Sequence, residues 1–130
     1  MTTHGLFRSV PDDLMGLYDR PGQLNSQKVA NFLELTQKDV ANAIGISRTS
    51  VRYDQKTPKA LLDRMHEWAI ALNLVATFFN DPNKTQLWFK TPNPNLGNIA
   101  PRDLIRLGRG QKLLGFIQDA LDENQAPAQA

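Results

Sequence analysis

The chain has no cysteine. That excludes a disulfide framework, a thiolate metal site and a cysteine nucleophile, and it suits a reducing compartment. Histidine is scarce too: His4 and His66 are the only two, and neither has a catalytic partner near it. There is no Gly-rich loop to cradle phosphate and no cluster with metal-ligand spacing. The Asp12-Asp13 pair reads as a helix-start signal rather than a catalytic dyad. So little of an active site can be assembled that no catalysis, metal, cofactor or small-molecule substrate is expected. The longest apolar run is far too short to span a membrane, and the first residues lack an apolar core of signal-peptide length. A cytoplasmic protein that does not engage membranes is the expectation. A single-sign charge excess is also missing, since the net charge is only +2 over 130 residues.

What is present centres on Thr36–Val51, TQKDVANAIGISRTSV. Thr36 is a good helix N-cap. Val40, Ala41 and Ile44 recur at helical spacing. Gly45 follows at once, where a helix can end in a left-handed residue. Ile46 plugs the corner, Ser47 offers a second N-cap, and Val51 points back inward. A small residue at the crossing, a glycine in the turn and an apolar residue on the second helix are what a helix-turn-helix requires. An ordinary helical hairpin that touches no DNA is the plainer alternative.

Read as a DNA-binding unit, the motif makes the helix from Arg48 to about Asp54 the reading head. Arg48, Thr49, Arg52 and Tyr53 then point away from the core. Arginine can bond guanine in bidentate fashion, and threonine can meet a thymine methyl or a phosphate. Ser47 and Gln37 stand at helix starts, where backbone phosphate is favoured. From Lys38 to Lys59 five basic residues face only Asp39 and Asp54, a modestly basic distribution that fits one DNA-facing side. So short a reading unit is usually paired across two half-sites, so a homodimer on operator DNA is expected.

The remaining pattern is helical. Residues 1–25 read as a loose arm docking through Leu14, Leu17 and Tyr18, with His4 given no role. Ser26 is placed as the cap of a support helix, Gln27–Leu35, and Gln37–Ile44 follows it. Pro58 starts a long helix over Lys59–Phe79, whose stripe Leu61, Met65, Trp68, Leu72, Val75 and Phe79 is wide enough to be buried against several neighbours. His66 and Trp68 read as packing residues. A short helix covers Asn83–Lys90. The Pro- and Asn-rich stretch 91–101 cannot be regular structure, and such a loop stays ordered only when packing or a partner fixes it. Helices Arg102–Leu107 and Gln111–Asp122 complete the chain. The implied organisation is an arm at 1–25, a helix-turn-helix domain at 26–57, a spine and second helical unit at 58–126, and a tail at 127–130.

In the second unit, Trp88-Phe89, Pro92-Asn93-Pro94, Leu96-Gly97, Pro101 with Asp103-Leu104-Ile105, then Gly110 and a final apolar helix resemble the toxin-binding domain of Xre/MbcA/ParS antitoxins. In that family a tryptophan and an apolar residue lead into a PN-x-x-L-G-G loop, a P-x-x-L-L helix and a G-x-x-x-V helix. The likeness covers about residues 58–123, and the preceding helix-turn-helix has the family's order. Asn98 stands at the family's second glycine, Thr85 at a common alanine, and Leu113 or Leu114 at the valine. The glycine often found near the end of the last helix is absent.

The resemblance implies an all-α fold: an Xre/Cro-like helix-turn-helix bundle joined by a long helix to a small toxin-binding domain. It further implies a type II toxin–antitoxin system. The partner would be a RES-domain toxin that consumes NAD, neutralised by covering its active site, and the operon would be autorepressed. Asn93, Asn95, Arg102, Arg106, Arg109 and Lys112 are the exposed candidates for holding that toxin. Among them Arg106, Arg109 or Lys112 would suit a site built for an anionic dinucleotide. The alternative is a dimeric Xre-type repressor without a toxin partner.

Overall fold

A computed structural model describes residues 11–123; the expectations placed on 1–10, His4 among them, and on 124–130 lie outside the described residues. Among the described residues six α-helices dominate: α1 (Ser26–Phe32), α2 (Gln37–Ile44), α3 (Lys59–Phe79), α4 (Pro82–Lys90), α5 (Pro101–Arg106) and α6 (Gly110–Asp122). The fold is all-α, with one small two-stranded hairpin as the exception.

That hairpin replaces the expected amphipathic turn. Strands β1 (Tyr18–Arg20) and β2 (Gln23–Leu24) pair antiparallel, Tyr18 opposite Leu24, around Pro21 and a left-handed Gly22 at φ 77°. Leu17 does dock into the core, but Leu14 stays exposed. The cause lies in Asp13. Its carboxylate accepts the backbone N–H groups of Leu17 and Tyr18, each at 2.9 Å, which turns the chain before a helix can start. The buried Asn73 of α3 then pins the turn. Its amide donates to Asp13 at 3.0 Å, and its carbonyl accepts the Met15 N–H at 2.9 Å. Burial alone would raise the Asp13 carboxyl, but these hydrogen bonds, with Lys28 nearby, hold it below its ordinary value. His66 packs beside Tyr18, with 3.1 Å between its Nδ1 and the hydroxyl.

Caps set the helix ends. Asn25, not Ser26, caps α1 by accepting the Lys28 N–H; Ser26 is inside the helix and buried. Thr36 caps α2 as read, and Asp39 completes a reciprocal capping box by accepting the Thr36 N–H. Gly45 ends α2 at φ 84°. Asp81 caps α4, which starts at Pro82 rather than Asn83. Pro101 and Gly110 likewise open α5 and α6 one residue earlier than read.

The largest departure is the expected third helix. Arg48–Ser50 makes a single 3-10 turn, and Val51 is extended. Val51 still faces inward, but the chain beyond it is held by polar side chains. Asp54 accepts the Lys56 N–H at 2.9 Å, and the Thr57 hydroxyl donates to the carbonyls of Arg52 and Asp54. Such local bonds compete with helix, and Pro58 disfavours helical geometry at Thr57.

The core is one continuous cluster from Leu17 and Val29 through Val40 and Leu61 to Leu113 and Ile117. The spine α3 packs against α1, α2, α4 and α6, while α5 meets α2, α4 and α6. Leu61, Met65, Leu72 and Val75 are fully enclosed, and each large apolar side chain so buried contributes about 1.5–3 kcal/mol.

Candidate functional site

The C-terminal unit is built around an aromatic pair. Trp88 and Phe89 are both buried, their rings edge to face at 4.9 Å. α4 delivers the chain into the 91–101 loop, and a single side chain organises that loop. Asn93 is buried, and its side-chain oxygen accepts the Asn95 N–H at 2.9 Å, capping a 3-10 turn over Pro94–Leu96. Its carbonyl accepts from Leu96 and Asn98, and its N–H donates to Ile99. Gly97 and Asn98 both adopt left-handed backbone, φ 73° and 63°. Asn98 is therefore accommodated where the family has glycine, because asparagine tolerates that geometry. Thr85, at the family's alanine position, is buried with its hydroxyl donating to the Asp81 carbonyl at 2.8 Å. The loop has no long helix or strand of its own, yet every turn in it is hydrogen-bonded.

The residues expected to hold a partner divide into three settings. Asn93, expected to be exposed, is instead buried as the loop's internal cap, its side-chain oxygen taken by the Asn95 N–H; Asn95 is exposed at the tip. Arg102 and Arg106 turn toward the α1–α2 corner. Arg102 Nη2 donates to the Glu34 carbonyl at 3.3 Å. Arg106 stands 3.9 Å from Asp39 and 3.4 Å from Asp103. Burial would raise the Asp39 carboxyl, but hydrogen bonds from Thr36 and the charges of Arg106 and Arg102 hold it below its ordinary value. Arg109 and Lys112, at the start of α6, are exposed.

On the other side of the molecule's sequence motif, Gln37, Ser47, Arg48 and Thr49 are exposed. Ser47 does not cap a helix: its hydroxyl lies 2.7 Å from that of Ser50 and 3.2 Å from that of Thr49. Arg52 is paired with Asp54 at 2.6 Å, and Tyr53 is half-buried, its hydroxyl pushed up by burial. Gln37 opens α2, and the other five lie in or next to the single 3-10 turn rather than lining a helix.

Sequence reasoning missed the contacts that join the two units. Lys90 pairs with Glu34 at 2.9 Å, and Gln86 donates to the Phe32 carbonyl at 3.1 Å. Lys90 holds the Glu34 carboxyl below its ordinary value through its hydrogen bond and its charge. Partners 54 and 56 residues apart carry no local pattern. Among the described residues no group of histidines, cysteines or carboxylates could hold a metal ion, and no helix is long and apolar enough to cross a membrane.

A buried aromatic pair, a capped Pro/Asn loop and two short helices on a shared spine define a small helical unit. Residues 73–114 match the family described as the antitoxin Xre/MbcA/ParS C-terminal toxin-binding domain. The match, confined to those residues, supports an antitoxin of Xre/MbcA/ParS type with a toxin protein as partner. No curated protein and no solved structure matches the chain.

Proposed function

We propose that the chain neutralises a RES-domain toxin that consumes NAD, by covering the toxin's active-site entrance, and that it represses its own operon by binding operator DNA as a homodimer in the cytoplasm. The observation that carries the first part is the family match over 73–114, which includes the whole internally capped loop. A loop that is already ordered gives up little conformational freedom on binding. Arg109 and Lys112 are the cations best placed to reach an anionic-dinucleotide site, since Arg106 is drawn toward Asp39 and Asp103; Asn95 and Arg102 border the same domain.

DNA binding would use Gln37, Ser47, Arg48 and Thr49, with Arg52 and Tyr53 joining when the segment after Val51 rearranges on the duplex. The basis is the exposed Arg48–Thr49 turn after α2, whose first residue, Gln37, is also exposed.

The decisive experiment is a pull-down from the native cell with a tagged full-length chain. A stoichiometric RES-type partner that consumes NAD once freed establishes the antitoxin reading. Charge reversal at Arg109 and Lys112 should then weaken the complex, and unchanged affinity for both would remove them from the interface. Recovery of DNA without any protein partner would leave a repressor of Xre type.

A further inference from the structure

Glu34 closes α1 in left-handed backbone, φ 56°. The Leu35 N–H reaches back to the Ala30 carbonyl and the Glu34 N–H to the Asn31 carbonyl, the helix ending that glycine usually fills. A side chain is strained there, and such strain persists only where the surroundings impose it. What glutamate supplies and glycine cannot is a carboxylate on Lys90 of α4. The other contacts of this corner run the same way. Gln86 of α4 holds the Phe32 carbonyl, Arg102 of α5 holds the Glu34 carbonyl, and Arg106 of α5 faces Asp39 of the α2 capping box. Just after α5, a Cβ at Gly108 would lie 3.2 Å from the Ala43 carbonyl of α2.

We propose that residues 32–39 form a coupling joint: the α4–α5 half of the toxin-binding domain grips this corner and so sets the angle of α2 and the Arg48–Ser50 turn behind it. The DNA consequence rests on the function proposed above; the mechanical one does not. The side chains of Lys90 and Arg106 are 38% and 43% exposed, so a bound protein's carboxylates can draw them off. Glu34 and Asp39 are then left unneutralised beside the α2 N-terminus, where backbone phosphate would approach, and the corner loosens. Both effects lower DNA affinity, and by linkage bound DNA weakens that partner equally.

The test uses the full-length chain, Glu34→Gly and the double variant Lys90→Gln/Arg106→Gln. Each is followed by thermal melting, amide exchange over residues 36–51 and affinity for the duplex immediately upstream of the coding sequence. Glu34→Gly removes the strain, so its melting temperature should hold or rise. The joint nonetheless requires exchange over 36–51 to quicken about fivefold in both variants, and DNA affinity to fall about fivefold in the double variant, where Glu34 and Asp39 are left unneutralised. Exchange over 36–51 that stays constant or slows in both variants overturns the joint and leaves Glu34 as an ordinary helix stop. If the unaltered chain binds no DNA, the operator reading fails while the exchange data still decide the joint.

Discussion

Gly110 lies against the indole of Trp68: a Cβ at that position would be 2.9 Å from Trp68 Nε1 and 3.2 Å from Cδ1. Trp68 is 2% exposed, a rigid ring on the buried face of the spine. The glycine that opens α6 is therefore required by the spine rather than by its own backbone. Gly110→Ala should destabilise the fold by about 1–3 kcal/mol through overpacking. Gly115, in the same helix, has nothing within 4 Å of its Cβ position, so Gly115→Ala should gain up to about 1 kcal/mol from helix propensity. Urea denaturation of the two variants checks the contrast; equal effects would refute the close contact as the cause.

Asp13 makes the arm's attachment sensitive to acid. Its folded pKa is depressed, so its contribution is fully present above the ordinary carboxylate value near 4 and is lost as pH falls through the lower folded value. Asp13→Asn puts an amide nitrogen where one acceptor oxygen must face an N–H. The loss should be about 1 kcal/mol near neutral pH, kept small because the group is largely solvent-screened. Stability curves of the two proteins should converge as pH falls below the folded value of Asp13. A constant gap down to that pH would mean the carboxylate charge is not what holds the turn.

Local chemistry explains which parts of the fold were legible. Val40, Ala41, Ile44 and Gly45 predict α2 and its turn because each acts within four residues. The α3 stripe, Leu61 to Val75, is a period that only a buried helix satisfies. Pro82 and Pro101 mark helix starts within a residue. The same signals mislead after Ser47, where Val51 faces inward as read but Asp54, Thr57 and Pro58 hold the chain out of a helix. Asn73 sits in an apolar run, and only its distant partner Asp13 reveals its role. Asn93 reads as an exposed polar residue because sequence does not show that its own turn uses its side-chain oxygen. The Glu34–Lys90 and Arg106–Asp39 pairs have no signature at all, since neither partner is near the other in the chain.

The capping box at the start of α2 gives a third prediction. Thr36 Oγ1 accepts the Asp39 N–H at 3.0 Å, and Asp39 returns the bond to the Thr36 N–H at 3.0 Å. Thr36→Ala should cost about 1 kcal/mol, while Thr36→Ser should cost much less because the acceptor oxygen survives. Thermal unfolding of both variants distinguishes a capping role from simple packing, since serine would restore the bond but not the methyl group.

Asn93 should couple stability and partner binding most directly. Its side chain fixes Asn95, its backbone closes against Ile99, and the left-handed residues Gly97 and Asn98 depend on the turn it starts. Asn93→Ala deletes the cap and leaves the Asn95 N–H without its side-chain partner, a loss of about 1–2 kcal/mol in the isolated chain. Asn93→Asp keeps an acceptor in the same place but exchanges a buried amide nitrogen for a carboxylate oxygen, so it should recover only part of that. Toxin binding should fall further than the stability loss explains, because a loosened loop must be reordered on docking at a cost of roughly 0.5–1.5 kcal/mol per side chain. Titrating the captured toxin partner against the three proteins, all kept well below their melting temperatures, separates the two effects. If Asn93→Ala melts lower yet binds that partner with unchanged affinity, the 91–101 loop supports the fold but does not present the binding surface.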